Sequence, residues 1–245
     1  MTALFGAYQL RARVEPLLLV AFPVAVLAYV LGAPDDLIGR VGVTAATFGV
    51  ATLLTSLARD RGRRIEADLW DSWGGPPTTT MMLSTSGAPS PNLAAHRRHV
   101  RRLLPDVEPL TDERDRADPT GSRRTIEQYV THLRERTRDR QRFPIVFDAN
   151  VGYGFRRNVL GLRPVGLVVA GATAAASIGA LVLVLRGDLE RPVTGVVLAL
   201  GVAATAAVMW MRASSEWVRV QANRYADALL AAAEAIDTSS RPIDA

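Results

Sequence analysis

The chain has no cysteine, no lysine and only three histidines among its 245 residues. Without cysteine there are no disulfide bonds, no thiolate catalysis and no thiolate metal sites. His96 and His99 are spaced so that they can share a metal on one helix face, but the surrounding arginines disfavour a cation. No nucleophile elbow, phosphate-binding P-loop or dinucleotide-binding loop is present. We therefore expect a protein that is not an enzyme and that holds no metal or other cofactor.

Charge is almost missing from four long segments. A bilayer core about 30 Å thick requires roughly 20 apolar residues in a helix, and each segment approaches that length with its flanks. We predict an integral membrane protein with these four spans: Pro16 to Gly32, Val41 to Ala58, Pro164 to Leu185, and Pro192 to Met211.

Arginine is unevenly distributed around the predicted spans. Cytoplasmic flanks of membrane helices are enriched in basic residues, so the arginine-rich flanks are expected on the cytoplasmic side. Both termini and the long central segment are then cytoplasmic, and we expect the protein in a bacterial inner membrane. The flanking arginines are Arg11, Arg13, Arg59, Arg61, Arg63, Arg64, Arg156, Arg157, Arg163 and Arg212.

The order of apolar and polar segments predicts an all-α membrane protein. Its four transmembrane helices form two hairpins in a 2+2 arrangement, separated by a mostly helical cytosolic insert and followed by a cytosolic C-terminal helix. The expected boundaries are 1–58 for an N-terminal helix with the first hairpin, 59–163 for the insert, 164–212 for the second hairpin, and 213–245 for the C-terminal helix and tail.

Local patterns divide the insert into helices and linkers. A helix that continues from the second span is expected to stop at Gly74 and Gly75, before two prolines. Asn92 is expected to cap a helix through Leu104, whereas residues 105–121 look irregular and "FPIVF" (143–147) looks extended. We expect little apolar core within the insert alone, because it has few apolar residues.

Two soluble helices show an apolar stripe at the 3.6-residue period. One starts at Thr120 or Ser122, and the other continues the fourth span and packs on the insert or on copies of itself. Their stripes are Ile126, Tyr129, Val130, Leu133 and Thr137 in the first, and Val218, Ala222, Tyr225, Leu229, Ala233 and Ile236 in the second.

The insert is strongly basic. Residues 59–163 contain 20 arginines and 14 acidic residues, a net charge of +6. Clustered arginines suit phosphate-bearing partners such as an oligonucleotide, a nucleotide messenger or anionic lipid headgroups, and the alternative is a solvated helix face held by ion pairs. In "NVGYGFRRN", aromatic and basic residues also fit an interfacial belt. The candidate ligand-binding residues are Arg97, Arg98, Arg101, Arg102, Arg134, Arg138, Tyr153, Phe155, Arg156 and Arg157.

The spans carry few polar residues. Thr44, Thr47 and Thr55 share a broad arc of the second span and are candidate pore-lining residues, although threonine also bonds its own helix. Small residues recur every four positions in the last two spans, a pattern that allows close helix packing within or between subunits. Packing alone and a pore therefore both remain open.

Two motifs, "DLWDSWGGPPTT" and "YGFRRN", resemble those of a family of uncharacterised bacterial four-span membrane proteins. The chain is also similar to the membrane channel effectors of Hailong-type antiphage systems, which are paired with a nucleotidyltransferase. That resemblance implies an oligomeric channel controlled by an oligonucleotide. We expect the first motif to couple the insert to the pore, through residues Trp70, Trp73, Gly74, Gly75, Thr78 and Thr79.

Together these features predict a homo-oligomeric membrane channel or membrane-disrupting effector, gated by a nucleotide or single-stranded oligonucleotide at its arginine-rich cytosolic region. Its expected partners are membrane lipid, copies of itself and a nucleotidyltransferase encoded nearby. The alternative is a non-enzymatic anchor or scaffold that docks an acidic protein or anionic lipid at the membrane.

Overall fold

The computed structural model describes residues 15–32 and 60–238. Over these ranges the chain forms helices and connecting turns without any strand, which confirms the all-helical prediction. The helices in chain order are α1 (Glu15–Gly32), α2 (60–72), α3 (Pro77–Met82), α4 (Leu93–Leu103), α5 (Asp112–Ala117), α6 (Pro119–Arg136), α7 (Pro144–Arg186), α8 (Val193–Arg212) and α9 (Ser215–Thr238).

Three of the described helices, α1, α7 and α8, are long and apolar enough to cross a membrane. They correspond to the first, third and fourth predicted spans. The predicted second span, 41–58, lies outside the described residues. α7 has 43 residues and is therefore much longer than the roughly 20 that a bilayer requires.

The described residues form two compact units. The first unit comprises residues 15–32, 60–66 and 154–218, and the second unit comprises residues 67–153 and 219–238. The first therefore holds the membrane-length segments, and the second holds most of the arginine-rich insert together with most of α9.

In the first unit, α1 packs antiparallel to α8. At one end, Arg191 Nε donates a hydrogen bond of 2.9 Å to the carbonyl of Leu31. At the other end, Leu17 belongs to the same apolar cluster as Trp210. The beginning of α1 and the end of α8 therefore lie at the same end of this unit.

Small residues bring the helices of the first unit close together. A Cβ added at Gly161 of α7 would lie 2.9 Å from the backbone nitrogen of Gly62 in α2, so the two backbones nearly touch. Along α8, Ala199 and Ala203 are fully buried, and α8 packs on α1. Along α8, close approach of this kind is how helices associate in lipid, where apolar side chains gain little from leaving the solvent. The contact between Gly161 and Gly62 lies outside the predicted spans, among Arg61, Arg63 and Arg163.

The second unit has an apolar core in which both predicted stripes take part. All five residues of the α6 stripe are buried, as are the stripe residues Leu229, Ala233 and Ile236 of α9. Phe143, which precedes α7, and Val146 in its first turn also belong to this core. The insert therefore gains its core by packing against the C-terminal helix, as the apolar stripe of that helix indicated.

Three local predictions were wrong. Residues 143–147 are not extended: Pro144 is the first residue of α7, a position that proline favours because it lacks an N–H. Residues 105–121 are not wholly irregular, since they include α5, whose N-cap Thr111 accepts a hydrogen bond from the Arg114 amide. Thr111 at this position is a helix-start signal.

The C-terminal helix does not continue the last span. α8 ends at Arg212, and Ala213 is extended, with φ −64° and ψ 115°. The Ser214 side chain then accepts a hydrogen bond of 3.2 Å from the amide of Trp217, as an N-cap serine does. A new helix therefore begins at Ser215.

Candidate functional site

Helix α4 has one buried face and one basic face. His96 and Val100 are buried, whereas Arg98, Arg101 and Arg102 are exposed. Residues four apart lie on the same face of a helix, so His96 and Val100 share the buried face. Arg98, Arg101 and Arg102 are at other positions around the helix and are therefore exposed. Three of the four predicted arginines of this helix therefore lie on its exposed face.

Arg97, the fourth, is committed to the interior of the second unit. Its Nη1 lies 2.7 Å from Asp112 Oδ1, and its Nη2 lies 2.6 Å from Oδ2 of the fully buried Asp115. The amide and hydroxyl of Ser84 also donate to Asp115 Oδ2, each at 2.9 Å. Hydrogen bonding, with Arg97 foremost, lowers the pKa of Asp112. Arg97 thus ties α4 to α5 and to the chain after α3.

His96 lies beneath the basic face of α4. Its Nε2 is 3.2 Å from the hydroxyl of Ser90. Burial lowers the pKa of His96 below its ordinary value, and the nearby charge of His99 lowers it further. A buried imidazole with a hydroxyl partner is typical of a packed core histidine, and its contact with Ser90 connects α4 to the linker before it.

The basic residues at the end of α6 are exposed. Arg134 and Arg138 make no ion pair with any other described residue. Asp139, which is close in sequence, instead accepts hydrogen bonds from the amides of Gln141 and Arg142 at 2.8 and 3.3 Å. Its carboxylate is used to turn the chain, which leaves both guanidinium groups to solvent.

Tyr153 is not available as a stacking platform. Only 7% of it is exposed, and its ring stacks on Tyr225 of α9 with centroids 6.3 Å apart and an interplanar angle of 5°. The sequence separation of these two tyrosines explains why local reasoning assigned Tyr153 to a ligand.

The remaining residues of the second motif lie in the first unit and are held by neighbours. Phe155 packs edge-on against Trp217. The Arg156 guanidinium lies 4.9 Å from the centre of the same indole, and its Nη1 donates to the Trp217 carbonyl at 2.7 Å. Arg157 pairs with Glu66 at 2.6 Å. Trp217 therefore brings Phe155 and Arg156 together, a grouping that the motif alone did not reveal.

The first motif ends α2 as predicted. The amide of Gly75 donates to the carbonyl of Trp70 at 2.8 Å, and Gly74 adopts a φ of +80°. This is the Schellman arrangement, which requires a left-handed residue after the last turn. Trp70 and Trp73 are half-buried, and the indole nitrogen of Trp70 is buried without a hydrogen-bond partner among the described residues.

The threonines after the prolines face inward. Thr78 and Thr79 are 4% and 2% exposed. The amides of Thr79 and Thr80 both donate to the carbonyl of Pro76, at 2.9 and 3.0 Å. These donors complete the first turn of α3, so two of the three threonine amides are already occupied.

The three candidate pore-lining residues, Thr44, Thr47 and Thr55, lie outside the described residues. Sequence reasoning did not identify an apolar groove in the first unit, here called the α8 groove, with a volume of about 980 Å³. The sequence indicates one end of this groove through Trp210, Arg212 and Trp217, because tryptophan and arginine near the end of an apolar helix are typical of the membrane interface. The groove is lined by Leu19, Phe22, Pro23, Phe155, Val159, Val197, Leu198, Gly201, Val202, Thr205, Ala206, Met209, Trp210, Arg212, Ala213 and Trp217.

Known proteins offer no guide to these sites. No protein-family model, curated protein or solved structure matches the chain. The assignment of function therefore depends on the residues themselves and on the geometry described above.

Proposed function

We propose that the protein is a homo-oligomeric, non-enzymatic effector of a bacterial inner membrane. In this proposal a nucleotide or single-stranded oligonucleotide binds exposed arginines of the second unit and controls the passage of ions through the membrane. The ligand class, the nucleotidyltransferase partner and a role in antiphage defence come from the motif resemblance.

The supporting observation is the contrast between neighbouring arginines on α4. Arg97 is paired with two carboxylates, whereas Arg98 and Arg101 are exposed and make no ion pair with described residues. Guanidinium groups bind phosphate through paired N–H donors, and one turn of helix presents these two on one side. Side chains that folding does not need are available to a ligand.

Arginine placement supports the proposed orientation. The end of the first unit where α1 begins and α8 ends is strongly basic, and basic flanks favour the cytoplasm. The second unit is then cytosolic, where a nucleotide would reach it. The described arginines near this end in sequence are Arg61, Arg63, Arg64, Arg156, Arg157, Arg163 and Arg212.

Oligomer formation is supported by an exposed small-residue face on α7. Gly171, Ala175 and Gly179 are all exposed, in contrast to the buried alanines of α8. Small residues at a spacing of four allow a second helix to approach closely. A channel would form among such copies, with Thr44, Thr47 and Thr55 as its proposed polar lining.

The ligand part is tested on the full-length protein in nanodiscs, with a short fluorescein-labelled oligodeoxyadenylate as probe. Fluorescence anisotropy at several salt concentrations gives the slope of log affinity against log salt. If Arg98 and Arg101 each contact one phosphate, replacing both with glutamine lowers that slope by about 1.4, since each phosphate of a single strand contributes about 0.7.

Arg116→Gln with Arg124→Gln is the matched control, because it removes the same charge from exposed positions of the same unit. An unchanged slope in the Arg98/Arg101 variant contradicts the proposed surface. An equal loss in the control means that the probe senses net charge rather than α4.

The channel part is tested by potassium flux from liposomes that contain the purified protein. Flux that changes when the oligonucleotide is added supports the proposal. Binding without any flux, with or without the oligonucleotide, contradicts the channel and favours an anchor that docks an acidic partner or anionic lipid.

A further inference from the structure

The α8 groove has a rigid wall. Trp210 is 3% exposed, and a Cβ at Gly166 of α7 would overlap its indole ring, so the ring lies directly on the α7 backbone. Leu17 and Val20 of α1 pack in the same cluster. The groove is therefore held open by packed side chains and does not need a ligand to form it.

One end of the groove is also fixed. Trp217 lines it, and its indole is held by the Arg156 guanidinium on one side and by the edge of Phe155. Arg156 is occupied by these contacts and by the Trp217 carbonyl. Tryptophan with arginine at the end of a membrane-length helix is typical of the region where hydrocarbon meets headgroups.

Charge at this end is uncompensated. Arg212 lines the groove, is exposed, and makes no ion pair with any described residue. None of the described residues that line the groove is acidic. The groove is therefore apolar along its length and has a positive charge at one end.

Its length fits one leaflet of a bilayer. The lining residues of α8 extend from Val197 to Arg212, and at 1.5 Å per residue these 15 steps cover about 22 Å. Half of a bilayer, counted with its headgroup region, is about 20–22 Å thick. An apolar chain that starts beside Arg212 would thus run along the groove to the middle of the bilayer.

We propose that the α8 groove binds one anionic phospholipid, with an acyl chain along α8 and the phosphate on the Arg212 guanidinium. The complementary charge selects an anionic over a zwitterionic headgroup, because only the former has a net negative charge to pair with Arg212. The volume of about 980 Å³ is at the upper end of that found for ligand pockets.

The headgroup contact is tested by native mass spectrometry of the full chain released from mild detergent with phosphatidylglycerol or phosphatidylcholine. We expect retention of phosphatidylglycerol over phosphatidylcholine, and about a tenfold weaker retention in Arg212→Gln, the loss of one charge-assisted contact. Arg186→Gln is the control, because Arg186 also ends a membrane-length helix but does not line the groove. Equal retention by all three proteins, or no preference between the lipids, overturns the proposal.

The acyl-chain contact is tested with lipids brominated on one chain, which quench nearby tryptophan fluorescence. Gly201→Leu fills the groove without a clash among the described residues, none of which has an atom within 4 Å of a Cβ at this position. We expect it to reduce quenching, whereas Gly171→Leu on exposed α7 leaves quenching unchanged. Wild-type protein that is not quenched indicates that another segment or a second copy covers the groove, and this result overturns the proposal.

Discussion

The two units use the same residue types in opposite ways. In the second unit, Tyr129 and Leu133 are fully buried, and arginines cover the surface. In the first unit, Leu198 and Met209 are 62% and 52% exposed, while the fully buried positions of α8 include alanines. One unit is built with its apolar side chains inside, and the other leaves many of them outside.

The difference follows from the solvent that each unit is built for. In water, burial of apolar surface drives folding, so large side chains belong in the core. In lipid, an apolar side chain gains little by leaving the solvent, and helices associate through close backbone approach instead. Charge deletions should therefore matter most in the second unit, and added methyl groups should matter most in the first.

The largest effect is expected from Arg97→Ala. The substitution leaves Asp115 fully buried without its cationic partner, and breaking a buried pair typically destabilises by about 3–5 kcal/mol. Chemical denaturation of the full chain in detergent, followed by tryptophan fluorescence, measures the loss. Arg98→Ala, its exposed neighbour, should change stability by less than about 0.5 kcal/mol.

A second variant separates a buried charge from a general loss of packing. Arg97→Met combined with Asp115→Asn removes both charges, and the side-chain oxygen of the asparagine can still accept from the Ser84 amide, so this variant should recover much of the stability. If the double variant is no more stable than Arg97→Ala, the pair does not act through its buried charge. Charged pairs would then contribute less to the stability of the second unit than the structure indicates.

In the first unit the strongest expected effect comes from Gly161→Val. A Cβ at Gly161 would lie 2.9 Å from the backbone nitrogen and 3.1 Å from the Cα of Gly62, and backbone cannot rotate away. Overpacking of this kind costs about 1–3 kcal/mol, measured by unfolding in mixed micelles. Gly171→Val is the control on the same helix, because no atom of the residues that the structure describes lies within 4 Å of a Cβ there. Equal effects at both positions would show that the crossing is not tightly packed.

The helices of the second unit could be predicted from the sequence where the residues that determine them are close together in the chain. The 3.6-residue stripe of α6 predicted five buried residues, and all are buried. Gly74 and Gly75 predicted the end of α2. Pro144, Thr111 and Ser214 were equally local signals of helix starts, and they were outweighed by the apolar appearance of 143–147, the polarity around α5 and the expected continuity of α8 with α9.

Side-chain partners did not follow from the sequence. Arg97 and its partner Asp115 are 18 residues apart in the sequence, and Asp115 and its donor Ser84 are 31 residues apart. The stacking of Tyr153 on Tyr225 crosses a still longer stretch of chain. The arginines of α4 cannot be told apart in the sequence, and only the fold distinguishes Arg97, which pairs with the buried Asp115, from those that are exposed.

The smallest expected effect is a pH dependence of the free energy of unfolding that arises from His96 in the second unit. In the unfolded chain this imidazole takes up a proton near pH 6.5, whereas burial, assisted by the charge of His99, lowers its pKa in the folded chain. The unfolded state then binds more protons, so the free energy of unfolding falls as the pH drops from 7 through 6.5 and below.

Denaturation midpoints measured between pH 7 and 5 should show this fall in the wild type and a flatter profile in His96→Gln. His132→Gln on α6 is the control for the loss of an imidazole from the same unit. If His96→Gln also follows the wild type, His96 is not the source of the pH dependence, because replacing a group that titrates on unfolding must remove its share of the slope.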